Sequence, residues 1–228
     1  MQSKIEKPGW ITLELLLVSG LFLVALFLFG YLANEVVLEK KDLFDTAAFR
    51  FFEPFATPAM LRFAKGITFF GSSYFFLPAY SLLVLYFLFR RRSAYALDIA
   101  LVGVSSTLLL RLLKHLFRRQ RPEHPVFDAL TNYSFPSGHA LSSFIFCSVL
   151  IYIVWNGKLQ KIWKSLLSFL LLLFALCIGI SRIVLRYHYA SDVAAGFCIG
   201  IAWALLSLWL LKKIRRRTVQ PEQQSIRN

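Results

Sequence analysis

The sequence predicts an all-α membrane protein: a bundle of six transmembrane helices with a short interfacial amphipathic helix after the first span. Three observations predict it. Of 228 residues, 57% are hydrophobic and 23 are Phe, an apolar and weakly charged composition for a soluble domain. Six apolar runs of about 16 to 24 residues are long enough to serve as membrane helices. The short basic turns and the basic tail fall on one side when these runs are threaded, as the positive-inside rule requires. The length suits one compact bundle and leaves no room for a second sizeable domain.

The elements follow in order. Residues 1–9 are polar and carry Lys4 and Lys7. The first span is 10–33. A cleaved signal peptide is the rival reading, but Tyr31-Leu-Ala-Asn34 puts a bulky residue where cleavage prefers a small one, so a retained helix is favoured. Glu14 reads as an interfacial carboxylate. After polar residues 34–42, segment 43–55 has helical spacing. Leu43, Phe44, Ala47, Ala48, Phe51, Phe52 and Phe55 share one face, opposite Asp45, Arg50 and Glu53. Too short to span, it is expected to lie in the interface on its apolar face.

A second short piece, 58–70, is broken by Gly71-Ser72-Ser73. The remaining spans are 74–89, 94–117, 139–155, 165–182 and 192–211. Arg90, Arg91 and Arg92 close one turn, and Lys158, Lys161 and Lys164 fill another. In the last span Gly196 and Gly200, four apart, permit close helix contact. The tail 212–228 is basic, then polar, and is expected to be disordered. Six spans place both termini on the side of the basic turns, the cytoplasm. The turns before His139 and before Asp192 then face outside.

The net charge of +14 suggests nucleic acid, but its distribution does not. The basic residues sit between apolar runs, where they orient the chain and attract anionic headgroups. Neither zinc-finger spacing nor a basic groove is present. Cys147, Cys177 and Cys198 all fall inside apolar runs and match no zinc or redox spacing. They read as plain thiols.

Several basic residues break the topology rule by lying on the outer side, where charge near hydrocarbon needs a reason. Arg111, Lys114, Arg118 and Arg121 follow helical spacing and fall on one stripe. Snorkelling to headgroups accounts for one or two such residues. Four aimed at the bundle mouth fit an anion better, since Arg offers a planar fork and Lys a point charge.

The second group is Pro136-Ser137-Gly138-His139, directly before an apolar run. Pro136 suits a helix start, Ser137 can cap the first turn, and Gly138 permits close backbone approach. His139 then sits among free N–H groups at a helix N-terminus, an anion site with an acid/base side chain. The third group is Ser181-Arg182, then His188 and Asp192. Four residues apart, His188 and Asp192 can share a face. The carboxylate would fix one ring nitrogen and leave the other free to attack phosphorus. Metal binding is the rival use of two histidines and a carboxylate, and the surrounding cations disfavour it.

Together these groups resemble the signature of the type 2 phosphatidic acid phosphatase superfamily. Lys114 with Arg121-Pro122 matches its first motif, Pro136 to His139 its second, and Ser181-Arg182, His188 and Asp192 its third. The resemblance spans roughly residues 66 to 211. It implies a lipid phosphatase in which His188 attacks phosphorus and becomes a phosphohistidine. It implies that Asp192 orients His188, and that His139 protonates the leaving lipid and then activates water. Lys114, Arg121, Ser137, Gly138 and Arg182 would bind the phosphate oxygens, with no cofactor and no metal. Arg111, Arg118, Arg119 and Arg186 are not fixed by the motifs. Arg118 is the first choice for a further headgroup contact, and His115 and His124 read as bystanders.

The expected partners are a phosphorylated membrane lipid and the bilayer, without nucleic acid. The short basic loops suggest a bacterial cytoplasmic membrane with the site facing the periplasm. The linker 123–135 is short, so the site is expected to be open. Undecaprenyl diphosphate, phosphatidic acid, phosphatidylglycerol phosphate and a lipid A phosphate are all candidate substrates. A lipid phosphotransferase and a non-enzymatic transporter of anionic lipid remain as alternatives. A transporter would need the cations but not His188.

Overall fold

The structure, a computed structural model, describes residues 8–127 and 130–225. Lys4, Lys7 and the side chain of Glu14 lie outside the described residues. Eight α-helices run in order: α1 Pro8–Ala33, α2 Leu43–Phe52, α3 Pro58–Phe69, α4 Ser73–Phe89, α5 Ser93–Phe117, α6 Gly138–Trp155, α7 Lys161–Val184 and α8 Ala190–Ser225. A π-helical turn, Asn34–Leu38, extends α1, and a 3-10 turn, Glu53–Phe55, ends α2. Among the described residues there is no strand. Among the described residues six stretches are long and apolar enough to cross a membrane: Leu15–Leu38, Pro58–Phe89, Ser93–Phe117, Gly138–Trp155, Lys161–Val184 and Ala190–Lys213.

Helix α6 is the hub and packs on α5, α7 and α8, while α1 lies against α8, α4 against α5 and α3 against α7. Close approach of α6 and α8 needs Gly196. A Cβ there would fall 2.7 Å from the Ser137 carbonyl oxygen and 3.0 Å from Ala140 Cβ. At Gly200 the same atom would meet only ordinary contacts at 3.5 Å. Of the two glycines, one is therefore a steric requirement.

Helix α5 ends in an αL cap. Arg118 adopts φ 49° and donates its N–H to the Lys114 carbonyl at 3.0 Å. The expected stripe of four cations stops there. Arg111 and Arg118 stay exposed, while Lys114 and Arg121 turn inward. Helix α7 starts four residues before its expected position. Its Lys164 ammonium donates to the carbonyls of Trp155 and Gly157, both at 2.9 Å, and so caps the end of α6. The backbone of α8 runs through the basic tail to Ser225, where disorder was expected.

Helix α2 corrects its sequence reading. Asp45, expected on the solvent side, is 1% exposed, whereas Leu43 is 81% and Phe51 64% exposed. Ala48, Phe49 and Phe52 pack on a cluster formed by α6, α7 and α8. The helix thus turns its carboxylate and part of its apolar face into the bundle, leaving Leu43, Phe44, Phe51 and Phe55 outside. Helical periodicity alone cannot reveal this, because the reason is a pair of polar partners far along the chain.

Candidate active site

The α7–α8 connection carries the third sequence group. Arg186 at φ 54° ends α7 in a Schellman turn. Tyr187 N–H donates to the Arg182 carbonyl at 3.0 Å and Arg186 N–H to the Ile183 carbonyl at 2.9 Å. His188 N–H also reaches the Arg182 carbonyl, at 3.2 Å. The spacing between Arg182 and His188 is therefore that of a chain reversal, which folds His188 back over the end of α7.

His188 is 1% exposed and Asp192 is fully buried. Imidazole Nδ1 lies 3.4 Å from Asp192 Oδ2 and 3.2 Å from Ser134 Oγ. Its Nε2 faces Arg121 Nη1 at 3.2 Å. Asp192 Oδ2 also accepts from Tyr189 N–H at 3.0 Å and from the Ser134 hydroxyl. Its Oδ1 accepts from Arg119 Nη1 at 2.7 Å. The Asp192 carbonyl takes the Ser137 N–H at 2.9 Å, tying the second group to the third.

Arg182 is buried beneath the Tyr187 ring, its guanidinium carbon 4.3 Å from the centroid. Its Nη1 donates to Thr68 Oγ1 of α3 at 2.8 Å. Arg182 Nε and Ser137 Oγ are both buried without a hydrogen-bond partner. Buried polar atoms left so carry a desolvation penalty of about 1–3 kcal/mol each, which an anion between them would relieve. Ser137 precedes α6 but makes no capping bond through its side chain, contrary to the sequence reading.

Lys114 donates to the Tyr133 carbonyl. Arg121 donates to the Tyr187 carbonyl at 2.5 Å and to the Asn132 carbonyl at 2.8 Å. The Asn132 side-chain oxygen takes Arg121 Nη2 at 2.5 Å. Two of the expected phosphate ligands are thus held by backbone carbonyls of the 118–137 connection and the α7–α8 turn. The last residues of that connection fold inward, with Ser134 and Phe135 fully buried. The site is consequently more enclosed than its short linker suggested. His139, in the first turn of α6, lies against the α3–α4 corner. A Cβ on Gly71 would sit 2.6 Å from its Cδ2, so glycine there makes room for the ring.

Electrostatics favour a neutral His188 imidazole. Burial pushes the His188 imidazole well below its ordinary value of 6.5, and Arg121, Arg182 and Lys114 push it further the same way. Burial also brings Arg121 down to about 10, leaving it cationic at neutral pH. For Arg119, burial acts downward but Asp192 and Asp45 outweigh it, so that guanidinium is held charged.

The structure gathers Lys114, Arg121, Ser137, Gly138, His139, Arg182, His188 and Asp192 at one end of the bundle. It does not bring in Arg118, which is exposed and bonded to its own His115 carbonyl at 2.9 Å. His115 and His124 are also exposed. Sequence reasoning missed Ser134, Thr68, Asp45 and Arg119. Ser134 lies in the polar stretch before Pro136, and Arg119 is two residues from Arg121, so proximity was a usable signal for both. Thr68 and Asp45 carried none.

A sequence model of the PAP2 superfamily matches residues 91–216. The chain belongs to the PAP2 superfamily. The match begins just after α4. Phosphatidylglycerophosphatase B of Bacillus subtilis (strain 168) is 28% identical over 198 residues, covering 86% of this chain and 96% of that one. Decaprenylphosphoryl-5-phosphoribose phosphatase of Mycobacterium tuberculosis (strain H37Rv) is 32% identical over 147 residues, 63% of this chain and 76% of that one. The crystal structure of a transmembrane PAP2 type phosphatidylglycerolphosphate phosphatase from Bacillus subtilis superposes with a TM-score of 0.73 at 26% identity, covering 86% of this chain and 96% of that one. This PAP2 protein is an integral multi-pass membrane phosphatase acting on lipid.

Proposed function

We propose that the chain hydrolyses a lipid phosphate or diphosphate at the outer membrane–water interface, through a phosphohistidine on His188 and without a metal. The observation that carries this reading is the polarity of His188. Its Nδ1 faces the Asp192 carboxylate and its Nε2 faces the cations. A proton on Nδ1, held by Asp192, leaves Nε2 its lone pair, which would attack phosphorus in line once the Arg121 N–H that faces it turns to a phosphate oxygen.

As the Nε2–P bond forms, the bond from phosphorus to the lipid oxygen breaks. His139 gives that oxygen its proton, and the lipid leaves as an alcohol, or as a monophosphate when the substrate is a diphosphate. Water then attacks the phosphohistidine, His139 takes its proton, and inorganic phosphate departs with His188 restored. Lys114, Arg121, Arg182, Ser137 Oγ and the Gly138 N–H would hold the phosphate oxygens. Such fixed charge supplies most of the barrier lowering in phosphoryl transfer. A divalent ion at the two histidines would meet these same cations.

Phosphatidylglycerol phosphate heads the substrates, because the relative matched over 86% of this chain is named for it. Undecaprenyl diphosphate, phosphatidic acid and a lipid A phosphate follow. The basic turns favour a bacterial cytoplasmic membrane, with both termini in the cytoplasm and the site facing the periplasm. The test is phosphate release by purified protein in detergent with chelator, across these lipids, with His188→Ala as control. His188-dependent release supports the reading and ranks the lipids. Absence of release from every lipid would turn attention to phosphotransfer onto an acceptor alcohol, or to lipid transport.

A further inference from the structure

We propose that Asp45 of α2 is a positioning residue of the phosphatase centre, holding Arg119 against Asp192 and thereby setting the orientation and charge environment of His188. This rests on His188 being the nucleophile. Asp45 lies outside the region matched to the PAP2 superfamily, on a helix that its sequence places at the membrane surface.

The geometry is a relay of fixed contacts. Asp45 Oδ2 accepts from Arg119 Nη2 at 2.7 Å and from the Ser191 hydroxyl at 2.7 Å, and Oδ1 accepts from the Ser191 N–H at 2.8 Å. Arg119 uses its other terminal nitrogen for Asp192 Oδ1, at 2.7 Å. The Tyr189 ring covers the guanidinium face, 4.0 Å from its central carbon. Arg119 is thereby fixed at both ends and on one face. Asp192 in turn is left with Oδ2 for His188, Ser134 and Tyr189.

A buried ion pair that merely docks α2 would look similar, but this one is shared. One guanidinium serves two carboxylates, so the trio carries a net negative charge next to His188. Removing the charge of Asp45 leaves Arg119 to neutralise Asp192 alone. The imidazole gains positive character when Nε2 bonds to phosphorus, and it would then lose part of its stabilisation. Substrate binding should change little, because Lys114, Arg121 and Arg182 do not contact Asp45. The other groups around His188 are His139 on α6, Arg121 on the connection, Arg182 on α7 and Lys114 on α5. All are cationic or neutral, so the Asp192–Arg119–Asp45 trio is the source of negative charge facing the ring.

The test uses the full-length protein in detergent with chelator and compares wild type, Asp45→Asn, Asp42→Asn and His188→Ala. Asp45→Asn keeps size and an acceptor oxygen. It should lower kcat by about 10-fold or more with KM within about 2-fold, because the lost stabilisation is specific to the transition state. It should also move the acid limb of kcat/KM to lower pH by roughly half a unit, since loss of a nearby negative charge disfavours protonated imidazole. Asp42→Asn removes the same formal charge from an exposed neighbour and should leave both in place.

Wild-type kcat and an unmoved acid limb in Asp45→Asn would overturn the proposal. So would an activity loss accompanied by a lowered melting temperature and an unmoved limb. If Asp45→Asn does not fold, Arg119→Lys serves instead: it keeps the charge but lacks the fork, and full kcat there overturns the proposal. Turnover by His188→Ala would remove the underlying reading, whereas an inert His188→Ala beside a normal Asp45→Asn removes only the role of Asp45.

Discussion

At the scale of single residues, the proposed mechanism requires His188 to be neutral, buried and oriented. His188→Ala should reduce kcat by roughly 10⁴-fold or more, as loss of a nucleophile does in other covalent mechanisms. Phosphate release against a substrate-free blank measures it, and near-normal turnover would exclude the mechanism. Because the folded-state pKa of His188 is depressed, its reactive neutral form persists below pH 6.5, and the acid limb of kcat/KM should lie below that value.

The stability sign follows from the same shift. The unfolded chain takes up the proton near pH 6.5 and the folded one resists it. His188 therefore lowers stability progressively as pH falls from about 6.5 toward its folded pKa. A melting series in detergent should show His188→Ala less sensitive to pH over that window. The motif residues were legible because each group lies within a dozen residues of chain and its chemistry is local. Asp45 was not: its partner Arg119 stands 74 residues away, and an aspartate on an amphipathic helix ordinarily faces water.

At the scale of elements, the site depends on how tightly helices approach. Gly71→Ala would place a methyl 2.6 Å from both His139 Cδ2 and Ile178 Cγ2. Displacing His139, the proposed general acid, should lower kcat more than it raises KM, most strongly for lipids with a poor leaving group. An alkoxide-leaving substrate compared with an aryl phosphate would measure this, and equal losses on both would count against His139 as the acid. Gly196→Ala acts on the fold instead. Overpacking at the α6–α8 contact should cost about 1–3 kcal/mol, seen as a lowered melting temperature in detergent. The periodicity of the apolar runs located the helices, but their ends followed local chemistry that it does not encode. Arg118 and Arg186 in left-handed caps, and Lys164 on the α6 carbonyls, set three of those ends.

For the whole molecule, the six apolar runs specified a helical bundle, because hydrophobic length is an additive property of sequence. Which helix packs on which was not written there. The central place of α6 comes from small residues meeting at specific heights. The connection before α6 should lie outside the cytoplasm. A cysteine introduced at Thr131, which is exposed, should react with an impermeant maleimide in intact cells. Protection there, with reaction only after lysis, would invert the orientation.

Helix α2 has one further consequence. Its Asp45 side bonds Arg119, which in turn bonds Asp192 beside His188, while Leu43, Phe44, Phe51 and Phe55 project outward into whatever surrounds the protein. Lipid packed on those four side chains would form a wall behind α2 and hold it against the bundle. Thin, short-chain micelles should slacken that wall and depress turnover at temperatures where the bundle is still intact. Transfer into lipid nanodiscs should bring the rate back.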